Sequence, residues 1–178
     1  MSADDGISVR QGAVTDLDQL VALTLALAAE TEDGLRLDTL RLAAGVRRGL
    51  EAGVGTDLSP RYWVAEQSGR LVGFIGISPE WSDWWATTYW WVISVFVECR
   101  CRRRGVATQL FASMQADADD ANVQTVNLRV ECGNAGAQKF YKSIGFAVDP
   151  SHLVMSKGRK PDGRAVGGET DKENDEEK

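Results

Sequence analysis

The sequence predicts an α/β protein with helices and strands mixed around one sheet (α+β mixed). Helical periodicity and strand-like runs follow the order βααβββαβαβ, with no internal repeat. Residues 88–97 form an unbroken apolar stretch containing one serine, which is typical of a strand buried on both faces. At 178 residues and 43% hydrophobic, the chain suits one domain with a substantial core.

Two helices follow a short first strand at residues 7–10. Thr15 followed by Asp18 resembles the capping box that starts a helix. Apolar residues continue from there at helical spacing: Leu17, Leu20, Val21 and Ala28. Residues 38–52 predict the second helix, with an inward face made by Leu40, Ala44 and Leu50.

Three strands are predicted in the middle of the chain. Residues 61–67 and 71–78 are strand-like, and Ser68-Gly69 between them is a hairpin signal. A tryptophan-rich loop then leads into the buried strand at 88–97.

The C-terminal part begins with a basic turn at 102–105. Val106, Leu110 and Met114 are spaced four apart and predict a helix after that turn. A half-buried strand is indicated by the alternation of Val126, Leu128 and Val130. Asn134 is a good N-cap and Gly145 a good C-terminal stop for the next helix. Residues 152–157 predict a final strand.

Composition excludes several classes of partner. The net charge of −6 (20 basic against 26 acidic residues) argues against nucleic acid and against an anionic lipid surface. Three cysteines are too few for a disulfide scaffold, and no apolar stretch could serve as a signal peptide or cross a bilayer. We therefore expect a cytoplasmic protein with a domain at 1–157. Residues 158–178 lack aromatic residues and predict a disordered acidic tail.

Four arginines crowd the basic turn: Arg100, Arg102, Arg103 and Arg104. Gly105 follows them, and unpaired amides at the start of the next helix make such a turn an anion site. A pyrophosphate fits the charge and the size, and a solvated basic loop is the alternative. Neither G-x-x-x-x-G-K-[ST] nor G-x-G-x-x-G is present, so the phosphates would belong to another carrier.

Two motifs in this region are similar to those of a known family. Residues 102–107, Arg-Arg-Arg-Gly-Val-Ala, match Q/R-x-x-G-x-G/A. Downstream lie Leu128-x-Val130 and then Asn134-x-x-Ala137-x-x-Phe140-Tyr141-x-x-x-Gly145-Phe146. In this order and on these elements, the motifs resemble the GNAT superfamily of acetyl-coenzyme A-dependent N-acetyltransferases.

The resemblance implies a fold and a coenzyme site. The fold is a mostly antiparallel twisted sheet with helices on both faces, in which a bulge splays the central strand from a parallel neighbour. Acetyl-coenzyme A would be the co-substrate, with no metal. Backbone groups of Val95 and Val97 would contact the pantetheine and the thioester, and Asn134 the coenzyme arm. The pyrophosphate would be held by Arg102, Arg103, Arg104, Gly105, Val106, Ala107 and Thr108.

The resemblance also makes Tyr141 the candidate general acid. A phenol with a pKa of about 10 can protonate a leaving thiolate whose thiol has a pKa of about 8.5; the alternative is a tyrosine of the core. No base is identified, because residues 92–94 lack the carboxylate that relatives often carry there. The open candidates are Glu30, Glu80, Asp83 and a water relay through Ser94, whereas Glu98 at the strand end is expected to lie past the reacting centre.

The chain departs from the family pattern at two positions. Cys99 stands where a proline is usual, and Arg103 stands where glycine is frequent. Arginine at the second position adds charge but restricts the turn.

Two other groups of residues have competing interpretations. Five of the six tryptophans lie at 81–91, where Trp84 and Trp85 are candidates for an aromatic wall around a cationic amine, and Trp90 and Trp91 for core packing. A zinc site would need Cys99, Cys101, Cys132 and His152, but C-x-C spacing among arginines disfavours it.

Two functions follow. The first is transfer of acetyl from acetyl-coenzyme A to a primary amine, on a small molecule or a peptide, through a direct ternary complex. The second is a non-catalytic module that binds acyl-coenzyme A. Edge strands of such folds often pair, which leaves a homodimer open.

Overall fold

The computed structural model describes residues 6–31, 37–52, 58–153, 155 and 158. Five strands carry the fold: β1 (Ser8–Gln11), β2 (Arg61–Gln67), β3 (Arg70–Ser82), β4 (Thr87–Val97) and β5 (Val126–Leu128). The helices are α1 (Leu17–Thr31), α2 (Thr39–Ala52), α3 (Val106–Asp120) and α4 (Ala135–Ser143). By its contacts the chain divides into two units, Met1–Ala135 with the sheet and Gly136–Lys178 with most of α4.

The strands form one sheet in the order β1-β2-β3-β4-β5. The first three pairings are antiparallel, and only β4 and β5 run parallel. Between β2 and β3, Ser68 and Gly69 both have positive φ (52° and 76°), as a tight hairpin turn requires. This confirms the predicted mixed sheet and its hairpin.

A bulge in β4 separates the parallel strands. Ser94 pairs with Gly76 of β3 and Val92 with Ile77, so Ile93 has no partner in β3. Pairing of β4 with β5 ends at Val92, opposite Leu128, although β4 continues to Val97. The extra residue redirects the strand, as bulges do. The splayed parallel pair that the resemblance implied is therefore present.

Helices cover both faces of this sheet. On one face α1 and α2 bury an apolar cluster against the strands: Leu20, Val46, Leu50, Val64, Phe74 and Phe96. On the other face α3 packs on β2 and β3. There the Trp63 indole Nε1 donates to Asp117 Oδ2 of α3 at 2.6 Å, and its ring lies 5.6 Å from that of Trp90.

Two predicted details of the helical layer are wrong. Leu40 is 84% exposed and Ala44 is also exposed, because α2 turns Val46 and Leu50 toward the sheet. Thr15 and Asp18 do not start α1. Instead the buried Asp16 accepts the Ala13 amide at 2.8 Å in a short 3-10 turn before the helix.

The predicted final strand is also wrong for the residues that the structure describes. His152, Leu153 and Met155 are not in a strand, and the latter two are 90% and 91% exposed. The Asp149 carboxylate accepts the Ser151 amide and lies 2.8 Å from His152 Nδ1, which holds a turn rather than extended chain. Residues 154, 156 and 157, and the predicted tail apart from Gly158, lie outside the described residues.

Candidate functional site

The separation of β4 from β5 leaves backbone groups at an open edge. The Glu98 amide donates to Val72 O of β3 at 2.9 Å. Successive residues of a strand direct their backbone groups to opposite edges. Because Glu98 faces β3, Val97 and Val95 direct their backbone groups away from β3, toward the opening. Both residues thus lie where their predicted contacts with pantetheine and thioester need them. The contacts themselves stay predictions.

The turn after β4 presents the uncapped start of α3. Arg103 has φ +64°, and Gly105, at the N-cap, has φ +79°. No side chain caps this helix, and the Gln109 amide donates to Gly105 O at 3.0 Å. The amides before Gln109 have no helical acceptor, and the helix dipole places partial positive charge on them. Residues 105–108 therefore offer an anion site built from backbone.

The arginines of this turn divide into two kinds. Arg102 is exposed but engaged: its Nε donates to Val97 O at 2.7 Å and its guanidinium pairs with Glu30 at 2.6 Å. Among the described residues, Arg103 and Arg104 have neither a hydrogen bond nor an ion pair, and both are exposed. Arg102 therefore ties the turn to the end of β4, while the next two guanidinium groups remain available to an anion.

A groove of about 480 Å³ adjoins the same turn. Its lining contains three arginines with the β2–β3 turn: Gln67, Ser68, Arg70, Arg100, Cys101 and Arg104. Glu98 pairs with both Arg70 and Arg100, which leaves the lining with an excess of positive charge. The structure thus places Arg104 on the groove side of the turn.

The predicted residues of the second motif lie on and just before α4. Asn134 directly precedes the helix, and its backbone amide donates to Glu131 O at 3.0 Å. Tyr141 lies in the second unit, where its ring contacts Phe140 and Phe146 at 5.5 and 6.0 Å. Burial raises the pKa of the Tyr141 phenol, which keeps it protonated, the form that a general acid needs. As predicted, the helix is followed by Gly145 at φ +100°.

Most of the carboxylates considered as bases are already engaged. Glu30 is paired with Arg102, Glu98 with Arg70 and Arg100, and Asp83 accepts the Trp81 indole at 2.8 Å. Ser94 is different: it pairs with Gly76 of β3, but it lies beyond Val92, where the pairing of β4 with β5 ends.

The Ser94 hydroxyl lies over Gly76 beside a tyrosine. A Cβ at Gly76 would come within 2.7 Å of Ser94 Oγ and 3.0 Å of Tyr62 Cε1. Glycine at this position thus provides the space in which the hydroxyl sits. Burial raises the pKa of Tyr62, so this neighbour of Ser94 is an uncharged phenol at neutral pH.

The tryptophans divide into buried and exposed ones, and the burial of Trp90 agrees with the sequence analysis. Trp90 is 1% exposed and belongs to the core, whereas Trp84 is 88% and Trp85 65% exposed at the β3–β4 turn. Thr87, the first residue of β4, is six residues from Ile93, a distance of about 20 Å at 3.3 Å per residue. The exposed tryptophans are therefore remote from the opening, and they do not surround an amine that reacts there.

Arg129 and Trp91 form a pair that the sequence interpretation missed. The Arg129 guanidinium lies 4.6 Å from the centroid of the Trp91 ring. Arg129 directly follows β5, at the point where the parallel strands separate. The available signal was a charged residue at a polar position of the alternation that Val126, Leu128 and Val130 define.

Metal-ligand clusters and spanning helices are absent from the part of the chain that the structure describes. In those residues no three His, Cys, Asp or Glu side chains gather closely enough to hold a metal ion. Cys101 is buried and faces Gln67, whereas Cys99 is exposed and faces Glu30. None of the described helices is long and apolar enough to cross a membrane.

Known proteins with similar sequences and structures support one family. An uncharacterized N-acetyltransferase of Methanocaldococcus jannaschii is 31% identical over 86 residues, which are 48% of this chain and 51% of that protein. The chain thus matches about half the length of this curated relative. A structure from Clostridium difficile 630, described as a possible acetyltransferase, has TM-score 0.73 at 28% identity over 86% of this chain and 99% of its own.

A third protein shares the fold at lower identity. The aminoglycoside N-acetyltransferase AAC(6')-Iy, solved in complex with CoA, has TM-score 0.69 at 18% identity over 90% of this chain and 99% of its own. Residues 37–146, more than half of the chain, match the model of the acetyltransferase (GNAT) family. The chain therefore belongs to the GNAT acetyltransferase family.

Proposed function

We propose that this protein transfers an acetyl group from acetyl-coenzyme A to a primary amine within one ternary complex. One observation carries the proposal: the open edge of β4 leads directly into the uncapped N-terminus of α3. An extended amide chain that ends in a pyrophosphate has the hydrogen-bonding groups and the charge to lie along these two features in turn.

The chain's own groups then divide the work of binding. Backbone groups of Val95 and Val97 pair with the amides of the pantetheine, as a neighbouring strand would. The amides of residues 105–108, with Arg103 and Arg104, take the pyrophosphate, and Asn134 contacts the coenzyme arm. Arg102 acts indirectly, because its bonds to Val97 and Glu30 hold the turn against the strand.

Acetyl transfer exchanges one bond for another. The amine nitrogen forms a bond to the thioester carbonyl carbon, and the carbon–sulfur bond breaks. An amide N–H at the open edge of β4 stabilises negative charge on the carbonyl oxygen. Tyr141 donates its phenolic proton to the leaving sulfur, and the proton that the nitrogen loses as the amide forms restores the neutral phenol.

The amine must lose a proton before it attacks, because an alkylammonium with a pKa of about 10.4 is almost fully protonated at neutral pH. Ser94 lies in the part of β4 that no longer pairs with β5, and its hydroxyl can pass that proton to a water molecule. We therefore assign Ser94 to the relay and propose no carboxylate base.

The Tyr141→Phe variant tests the proposed acid. We expect kcat for release of free coenzyme A thiol to fall about 100-fold or more, the usual contribution of a positioned acid. The dissociation constant for acetyl-coenzyme A, measured by calorimetry, should stay within about twofold, because the ring and its contacts with Phe140 and Phe146 remain. Phe140→Leu is the matched control for packing of the same helix.

The alternative is a module that binds acyl-coenzyme A without turning it over. It predicts tight calorimetric binding but no thiol release above the uncatalysed rate across polyamines, amino acids, aminoglycosides and peptides. An unchanged kcat in Tyr141→Phe would contradict the acid role alone. Absence of any binding to acetyl-coenzyme A would contradict both functions.

A further inference from the structure

The described residues contain one buried side-chain donor that lacks an acceptor, the indole Nε1 of Trp91. A buried polar group without a partner is costly, so such groups are rare in native proteins, and each one calls for an explanation such as a ligand, ion or water that completes the bonding. Trp91 pairs with Ser78 in β3, one residue before the last pairing of β4 with β5. The residue that carries the unsatisfied donor therefore lies next to the point where β4 and β5 separate.

A second donor without an acceptor lies on top of it. Arg129 stacks on the Trp91 ring at 4.6 Å, and within the described chain its guanidinium has no carboxylate partner. Arg10, Arg70 and Arg102, in contrast, each pair with an acidic side chain. A guanidinium that lies over an indole can keep N–H groups free at its edge, where a planar carboxylate can accept two of them.

The pair also shares a sheet face with the proposed relay. Ser94 lies opposite Gly76 and Trp91 opposite Ser78, two residues apart in β3. Residues two apart in a strand direct their side chains to the same face. The side chains of Trp91 and Ser94 therefore lie on one face of the sheet, next to the place where β4 and β5 separate.

We propose that Arg129 and Trp91 recognise a carboxylate carried by the acceptor, so that the substrate is an amino acid or a peptide with a carboxylate close to its reacting amine. This inference rests on the proposed function. It names an acceptor that carries a carboxylate beside its amine, whereas the exposed tryptophans of the β3–β4 turn first suggested recognition of the cationic amine alone. The carboxylate sits across the guanidinium edge, and the amine is left to reach Ser94 and the thioester.

Matched acceptors test the inference. Thiol release from acetyl-coenzyme A is measured with α-amino acids and dipeptides, with their C-terminal carboxamides, and with aminoalkyl phosphates. We expect kcat/KM to be at least tenfold higher for carboxylates than for the matched carboxamides. Release with carboxamides, other amines or phosphates, but without a preference for carboxylates, overturns the inference and leaves the proposed function standing. If no amine in the panel gives thiol release, both the inference and the proposed function are overturned.

Variants separate the two donors. Arg129→Gln should lower kcat/KM for carboxylate acceptors about 10- to 100-fold, mainly through KM, and abolish the preference over carboxamides. Trp91→Phe keeps an aromatic ring beneath the guanidinium but removes the N–H together with part of the indole, and the loss should be about three- to tenfold. Arg48→Gln on α2 makes the same charge change at an exposed site and should preserve the preference. A preference that survives Arg129→Gln overturns the inference.

Discussion

Two arginine clusters in this molecule show how pairing separates structural arginines from those that can bind a ligand. Arg10 on β1 reaches Asp16 and Glu66 at 2.7 Å each, and Asp16 is only 4% exposed. At the start of α3, by contrast, Arg103 and Arg104 are exposed and have no acidic partner among the described residues. The first cluster, a single arginine with two carboxylates, is an internal network, whereas the second has an excess of positive charge.

The largest effect on stability should come from breaking the internal network. Arg10→Ala leaves Asp16 buried with only the Ala13 amide as donor, and we expect it to lower the free energy of unfolding by about 2–3 kcal/mol. Urea denaturation measures the loss. Arg104→Ala removes the same charge from an exposed site and should change stability by less than about 0.5 kcal/mol. Equal losses in the two variants would show that pairing does not distinguish the clusters.

The network should also be visible in the pH dependence of stability. The hydrogen bond from Arg10 holds the pKa of Asp16 below its usual value. A carboxyl whose pKa is lower in the folded state stabilises it above the unfolded pKa, about 3.9, and loses that contribution as pH falls through the folded value. Stability should therefore decline below about pH 4, and the decline should be smaller in Asp16→Asn. An identical acid profile in that variant would contradict the assignment.

The α3 cluster should matter for binding rather than for stability. We expect the double variant Arg103→Ala, Arg104→Ala to weaken acetyl-coenzyme A about tenfold, by losing two charge-assisted contacts with phosphate, and to reduce the salt dependence of binding. Calorimetry at two salt concentrations measures both effects. Arg47→Ala with Arg48→Ala, exposed on α2, carries the same charge change and should leave affinity unaltered. If that control weakens binding equally, only net charge is involved.

The smallest effect separates the charge of Arg103 from its backbone. Its left-handed φ of +64° costs an L-residue about 1–2 kcal/mol, and glycine recovers part of this at the expense of unfolded-state entropy. Arg103→Gly should therefore raise stability by about 0.5–1 kcal/mol while weakening the coenzyme slightly. Arg104→Gly, whose position lacks a positive φ, should lower stability by about 0.5 kcal/mol. Destabilisation by Arg103→Gly would show that the conformation is not strained.

Local patterns predicted most of the fold and the position of the basic turn before α3. Strands at 61–67 and 88–97 appear almost as expected, because their apolar runs and the Ser68-Gly69 turn are local signals. The predicted inward face of α2 was only partly right. Leu50 is buried as expected, but Leu40 is exposed and Val46 is buried instead. Helical spacing alone allows more than one apolar face, and the sheet selects which one is buried.

The sequence by itself determined the family motifs, the position of the buried strand β4 and of the turn that follows it, and the unusual arginine at position 103. Each of these depends on residues close together in the chain. Only the tertiary structure decided which guanidinium groups are already neutralised. Arg102 meets Glu30 from α1, and Arg129 meets the ring of Trp91 on another strand. These contacts join distant parts of the chain, and burial and pairing, which set the free energy of a charge, exist only once those parts have folded together.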